Sequence, residues 1–481
     1  MTPQTPFRIE RDSLGQLFVP ADAYYGVQTA RAVRNFPISG IRPHAVYVWA
    51  AAAVKRAAAE ANVELRVLNR RTGKAIARAA AEVMDGRLAD QFVVDVFNSG
   101  ACTAFHMNVN EVLANRAIEL LGGERGDYTR VHPNDHVNMA QSSNDVMPTV
   151  TRLAALSLVE RLLPELASLD KALRAKAREF DSVVKAGRTH LQDAVPMRLG
   201  QEFSGYAGAV RSGRGRIQHA ARALREIGLG ATAVGTGINA HPDFRVKVVE
   251  RLKALTGWEL RPAENVFETH QSFAAFAELS SALKVLALEL IRIANDLRLL
   301  SSGPNTGLFE INLPAVMPGS SIMPGKVNPS LPEMLDMVCF QVVGNDTTIS
   351  LAVQAGQMEI NVMTPVVGYD LLQSLDLLRN GVHVFTERCV RGITANVERC
   401  QANAERTLAL ATALNPHIGY EKAVEVAQEA LATGRGLKEI VVEKKLLSKA
   451  EADRVLDVRA LAGPSIRRKR ASRRKAAGGI S

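Results

Sequence analysis

Residues 319–329 read Gly-Ser-Ser-Ile-Met-Pro-Gly-Lys-Val-Asn-Pro, which puts two serines, a lysine and an asparagine into one short segment. Glycine opens backbone angles closed to other residues and proline removes an amide donor, so the run continues neither a helix nor a strand. A polar Gly/Pro loop is ordinarily a surface connection. A bare connection needs neither Lys326 nor Asn328. Three further segments break the apolar pattern: residues 98–106 (Asn-Ser-Gly-Ala-Cys-Thr-Ala-Phe-His), 138–145 (Asn-Met-Ala-Gln-Ser-Ser-Asn-Asp) and 187–193 (Gly-Arg-Thr-His-Leu-Gln-Asp). Each is expected to precede a helical stretch, where Ser, Thr and Asn ordinarily act as helix caps. The alternative is anion binding by free N–H groups and hydroxyls at helix starts. Each segment holds more polar groups than one cap needs, and Lys326 adds a fixed positive charge. Together they suit a small ligand with two carboxylates.

The elements that must carry these segments read as long helices. In residues 273–300, Phe273, Phe276, Leu279, Leu283, Leu286, Leu290, Ile293, Leu297 and Leu300 recur at steps of three and four, one apolar helical stripe. Ala275, Ala282, Val285 and Leu288 widen it, which predicts a helix buried on most sides. Residues 199–224 repeat the pattern through Leu199, Phe203, Tyr206, Val210, Ile217, Ala221 and Leu224. Pro148 is expected in a first turn, and Pro164 is expected to kink its helix. The division expected is 1–141, mixed and mostly helical with stretches near 46–61 and 70–85; 142–397, a bundle of long helices; and 398–466, shorter helices with Gly434 and Gly436 in a connection. A helix of roughly 30 residues is about 45 Å long, so antiparallel neighbours start at opposite ends of a bundle. The four polar segments of one chain are then hard to gather in one pocket. Symmetry-related chains could gather them, which predicts a homo-oligomer with shared sites.

The polar segments, with others along nearly the whole chain, resemble blocks of the aspartase/fumarase superfamily. Residues 8–12 (Arg-Ile-Glu-Arg-Asp), 19–26, 107–116, 133–138 and 300–304 (Leu-Ser-Ser-Gly-Pro) carry the same resemblance. It implies a mainly α, three-domain fold with a central long-helix bundle, assembled as a homotetramer. Residues 35–40 (Asn-Phe-Pro-Ile-Ser-Gly), 310–316, 342–346 and 355–363 look more like aspartate ammonia-lyases than class II fumarases. The implied reaction is loss of ammonia from L-aspartate to give fumarate and ammonium.

Carried over position by position, the resemblance makes Ser320 the base that removes a proton beside the β-carboxylate. A neutral serine is a poor base, so it would act as an oxyanion held by loop N–H groups and the Lys326 charge after loop closure, with Gly319 and Gly325 as hinges. Thr189, Lys326 and Asn328 would bind the α-carboxylate. Thr103, Ser142, Ser143 and Ser321 would bind the β-carboxylate, where charge gathers in an aci-carboxylate. Thr103, Asn144 and His190 would face the leaving amine, with Glu333 as the partner of His190. One stretch departs from the pattern. The superfamily usually has Gly-Thr-Ser-x-Asn-Met-Asn around Thr103, whereas residues 102–108 read Cys-Thr-Ala-Phe-His-Met-Asn. Ala140 likewise stands where serine is common.

Composition limits the rest. The 481 residues are 47% hydrophobic and only 5% aromatic, which suits packed Ala- and Leu-rich helices. No apolar run is long enough to span a membrane, and the first residues lack the apolar core of a signal peptide. Cys102, Cys339, Cys389 and Cys400 show neither C-x-x-C nor zinc spacing, consistent with reduced thiols and a cytoplasmic setting. No metal or cofactor is expected. The net charge of +10 is concentrated in a tail, where Arg467, Arg468, Lys469, Arg470, Arg473, Arg474 and Lys475 account for seven positive charges. A solvated end is preferred there over a nucleic-acid contact. The other readings are fumarase chemistry with water as leaving group, a larger succinyl amine as substrate, and a structural protein of lens-crystallin type.

Overall fold

The computed structural model describes residues 6–465, so the basic tail at 467–481 lies outside the described residues. The chain is mainly α-helical, and the described residues form four sheets of two strands each. Phe7–Asp12 and Gly15–Pro20 form an antiparallel hairpin in the register Phe7 with Pro20. The Ala45–Glu64 and Arg70–Met84 helices follow close to their expected positions. Alanine is the strongest helix former, and its small side chain lets neighbours approach the first of these from several sides. The second is capped by Asn69, whose side chain accepts hydrogen bonds from Arg71 N and Thr72 N.

Five long helices follow: Ser143–Glu179, Leu199–Ala220, Ala274–Leu300, Ser330–Gln354 and Thr364–Arg388. The nine residues of the 273–300 stripe are all buried, as are the seven of 199–224. Val285 and Leu288 are not: Leu288 is 52% exposed. The helix therefore buries one face and leaves a second apolar one open in the single chain, contrary to the expectation of burial on most sides. The Ser330–Gln354 helix also exposes Met337, Phe340 and Leu351. Pro148 falls in a second helical turn rather than the first. The helix starts earlier because Asp145 reaches back to accept Ser142 N at 2.9 Å, closing the end in the manner of a capping box.

By its internal contacts the chain forms two compact units. Of the described residues, one comprises 6–163, 215–287 and 340–379, the other 164–214, 288–339 and 380–465, so each boundary falls inside a long helix. Polar pairs fix helix register within each. In the first, Ser280 Oγ donates to Asp346 Oδ1 at 2.8 Å and Asn345 Nδ2 donates to Ser374 Oγ at 3.0 Å. In the second, Tyr206 donates to Asp296 at 3.1 Å and Arg298 to Asp336 at 3.2 Å. The second unit also holds the short C-terminal helices, packed around Leu410, Val426, Ile440 and Leu456. Gly434, in the left-handed region at φ 69°, ends the Tyr420–Thr433 helix, a position that suits a residue without Cβ. Among the described residues no helix is long and apolar enough to cross a membrane.

Candidate active site

In the first unit a short turn, Gly100–Cys102, leads into the Thr103–Leu120 helix. Ala101 and Cys102 both have positive φ, at 55° and 59°. Cys102 holds a left-handed backbone that glycine favours, a strain of about 1–2 kcal/mol. That geometry leaves Thr103 exposed at the helix start, on a cavity of about 600 Å³ that also meets Ser99, Ala104, Arg31 and His132.

Ser142, Ser143 and Asn144 open the Ser143–Glu179 helix. Ser142 Oγ accepts Asn144 N at 3.3 Å, and Asn144 Nδ2 donates to the Ala233 carbonyl at 2.7 Å. Asp145 ties this turn to a neighbouring loop, accepting Gly230 N and Thr232 N at 2.9 Å each. Burial raises the pKa of its carboxyl, and the three backbone N–H bonds oppose the rise. Ser143 Oγ lies 2.8 Å from His106 Nδ1, and His106 Nε2 lies 2.7 Å from Lys55 Nζ. Lys55 and His106 had no role in the sequence reading. A lone lysine in an alanine-rich run reads as an outward side chain, and the histidine was visible only as a departure from the usual pattern.

In the second unit, Thr189 and His190 do not precede a helix directly. They sit at the tip of the antiparallel hairpin of Val184–Thr189 and Gln192–Arg198, with Thr189 paired to Gln192. His190 and Leu191 are both left-handed, at φ 56° and 59°. A two-residue turn of this kind favours Asn-Gly, so His-Leu carries strain there, as often found where function fixes the residue. The turn hangs from a buried ion network. Arg188 donates to Glu310 twice, at 3.0 and 2.7 Å; Lys185 Nζ lies 3.2 Å from the same carboxylate, and Asn403 donates to it at 3.0 Å. Burial pushes Glu310 upward, but Arg188, Lys185 and Asn403 together hold it below the usual carboxylate range.

The 319–329 loop is closed on itself. Gly319 N donates to the Lys326 carbonyl at 2.8 Å, and Asn328 Nδ2 donates to the Gly319 carbonyl at 2.6 Å. A Cβ on Gly319 would come within 2.4 Å of the Lys326 carbonyl oxygen, so the crossing requires glycine. Gly325 has φ 77°. Ser320 Oγ accepts Ile322 N at 3.2 Å and Met323 N at 2.9 Å. Ser321 and Lys326 are exposed, and Lys326 and Asn328 line a cavity of about 640 Å³. Glu333 lies in the first turn of the Ser330–Gln354 helix. No hydrogen bond joins it to His190 among the described residues.

The expected site residues thus fall into two sets. Thr103, Ser142, Ser143 and Asn144 belong to the first unit; Thr189, His190, Ser320, Ser321, Lys326, Asn328 and Glu333 belong to the second. Among the described residues no cluster of His, Cys, Asp and Glu could hold a metal ion.

Comparison with known proteins covers nearly the whole chain. Residues 15–344 match the family described as Lyase, and residues 410–463 match Fumarase C C-terminus. An aspartate ammonia-lyase of Pseudomonas aeruginosa is 50% identical over 454 residues, covering 94% of this chain and 96% of that one. A class II fumarate hydratase of Thermosynechococcus vestitus is 49% identical over 451 residues, covering 94% and 97%. A solved structure titled fumarate lyase:delta crystallin from Brucella melitensis, bound to cobalt, superposes with a TM-score of 0.92 at 48% identity, covering 95% of this chain and all of that one. With such identity over nearly its whole length, this chain belongs to the lyase family of the aspartase/fumarase superfamily.

Proposed function

We propose that this protein is an ammonia-lyase that converts L-aspartate to fumarate and ammonia. The observation that carries the reading is the setting of Ser320, whose Oγ accepts two backbone N–H groups inside a glycine-hinged loop that also bears Lys326. The same two donors suit an alkoxide at that oxygen, and water exclusion strengthens them. The Ser320 alkoxide takes the proton from Cβ. The C–H electron pair spreads into the β-carboxylate as an aci-carboxylate, then forms the Cα–Cβ double bond as the C–N bond breaks and ammonia leaves. Thr103, Ser142, Ser143 and Ser321 bind the β-carboxylate, and their donors favour the doubly charged intermediate over the ground state. Thr189, Lys326 and Asn328 hold the α-carboxylate. Asn144 and His190, with Thr103, face the amine, and Glu333 supports His190.

The site is shared between chains of a homotetramer. Support comes from the exposed apolar side chains Leu288, Met337, Phe340 and Leu351 on the central helices. The three-part division at about 141 and 397 is the proposed domain organisation. A cytoplasmic setting agrees with the four cysteines, all buried and unpaired.

The second reading is fumarase chemistry, favoured by one observation: identity to a protein named fumarate hydratase class II nearly equals that to the aspartase. Supplying fumarate with ammonium, then fumarate alone, separates the two. Aspartate formed only in the first supports the ammonia-lyase; malate formed in the second supports the alternative.

A further inference from the structure

The Lys55 side chain ends among three hydrogen-bonding partners. Nζ lies 2.7 Å from His106 Nε2, 2.9 Å from Asn138 Oδ1 and 3.0 Å from Gln141 Oε1, and the residue is 0% exposed. Both amides are fixed in orientation. Asn138 Nδ2 donates to the Gln141 carbonyl, and Gln141 Nε2 donates to the carbonyls of Val137 and Met139. Flipping either amide would break those bonds and turn N–H groups toward Nζ.

Counting donors leaves two arrangements. An ammonium has three N–H groups and no lone pair, so it donates to all three neighbours and requires a bare His106 Nε2. A neutral amine has two N–H groups for the amide oxygens, and its lone pair then needs a proton on Nε2. The other ring nitrogen, Nδ1, is 2.8 Å from Ser143 Oγ. With Nε2 bare, the ring proton sits on Nδ1 and is donated to Ser143, whose own hydroxyl hydrogen is free to point outward. With Nε2 protonated, the Ser143 hydroxyl donates inward and presents only lone pairs. A carboxylate accepts hydrogen bonds and cannot donate, so it is served by the first arrangement alone.

We propose that His106 is a positioning residue: the Lys55 ammonium holds its ring in the Nδ1–H form, which makes the Ser143 hydroxyl an outward donor for a substrate carboxylate. The proposal rests on the reading of Ser143 as a carboxylate contact. Burial lowers the pKa of Lys55 well below that of a free lysine and so works against the ammonium, whereas the Asp145 carboxylate and the three acceptors around Nζ favour it. Burial and then the Lys55 charge lower the pKa of His106, which keeps a second proton off the ring.

The test is 15N NMR of histidine-labelled full-length protein, with and without succinate, a dicarboxylate that has no amine to lose. The His106 signals are assigned by their loss in His106→Asn. The expected result is a neutral ring with the proton on Nδ1 in both conditions. A proton on Nε2, or on both nitrogens, overturns the proposal. Calorimetry with succinate supplies the second readout. His106→Leu weakens binding up to about 10-fold, the effect of losing the neutral hydrogen bond that orients the Ser143 hydroxyl, and His106→Asn, which restores an amide donor toward Ser143, recovers most of it. Unchanged affinity in the leucine variant overturns the proposal; if that variant does not fold, the wild-type spectra decide. The two failures are distinguishable. Wild-type protein that binds no succinate overturns the carboxylate reading itself, whereas Nε2–H in a protein that binds succinate overturns the His106 assignment alone.

Discussion

Arg188 grips Glu310 through both terminal guanidinium nitrogens, Nη1 at 3.0 Å and Nη2 at 2.7 Å, one residue before Thr189 at the hairpin tip. Glu310 is 0% exposed. Removing one partner of a buried pair strands the other charge, so Glu310→Gln should cost roughly 3 kcal/mol of stability. Thermal unfolding would show a clearly lower Tm. An unchanged Tm would mean that the network does not hold the hairpin.

The same carboxylate sets an acid limit. Its folded pKa is depressed by Arg188, Lys185 and Asn403 against the pull of burial. A depressed carboxyl contributes stability that is full above the unfolded value of about 4.3 and is lost as pH falls through the lower folded value. His106 acts in the same direction: its folded pKa is lowered by burial and by Lys55, so stability declines as pH drops below the unfolded value of about 6.5. Denaturant unfolding across acid pH should show both losses, and Glu310→Gln should flatten the lower one.

The helical stripes were legible because their period is physical: Phe273 through Leu300 must share one face, and that face is buried. What lies opposite was not legible. Val285 and Leu288 read as core because apolarity looks the same whether a side chain is covered by its own chain or left open. The 187–193 segment was misplaced for another reason. His190 and Leu191 adopt a turn geometry for which their side chains give no signal, where Asn-Gly would have announced it. The types of the site residues stood out in the sequence, but their individual roles came from resemblance. Lys55 was invisible, since its burial depends on acceptors more than 80 positions away.

Gly319 offers a test of the loop without touching its chemistry. A methyl group there would collide with the Lys326 carbonyl. Gly319→Ala should therefore reduce kcat about 10- to 100-fold through misplacement of Ser320, with the Tm nearly unchanged. Normal turnover in this variant would remove the loop crossing from the account.

Lys326 is exposed in the single chain and lines the loop cavity. If it holds a carboxylate, Lys326→Ala should weaken succinate binding about 10-fold or more, the loss of a charge-assisted hydrogen bond. Titration calorimetry checks this directly, and equal affinity would exclude Lys326 from the site.

Shared sites make a distinct prediction. Phe340 is 57% exposed, close in sequence to the exposed Met337 on a central helix. Phe340→Glu should break the assembly in analytical ultracentrifugation and abolish turnover with it. Mixing two separately inactive variants, Ser320→Ala and Ser143→Ala, should regain turnover, because some hybrid sites would carry both native residues. Full turnover by a monomer would contradict the shared arrangement.

The most direct measurement follows fumarate absorbance with L-aspartate and (S)-malate side by side, for the wild-type protein and for Ser320→Ala. The account predicts fumarate from L-aspartate in preference to malate, and none from the variant although it keeps its assembly. Preference for malate, or near-normal elimination of ammonia by Ser320→Ala, would contradict it.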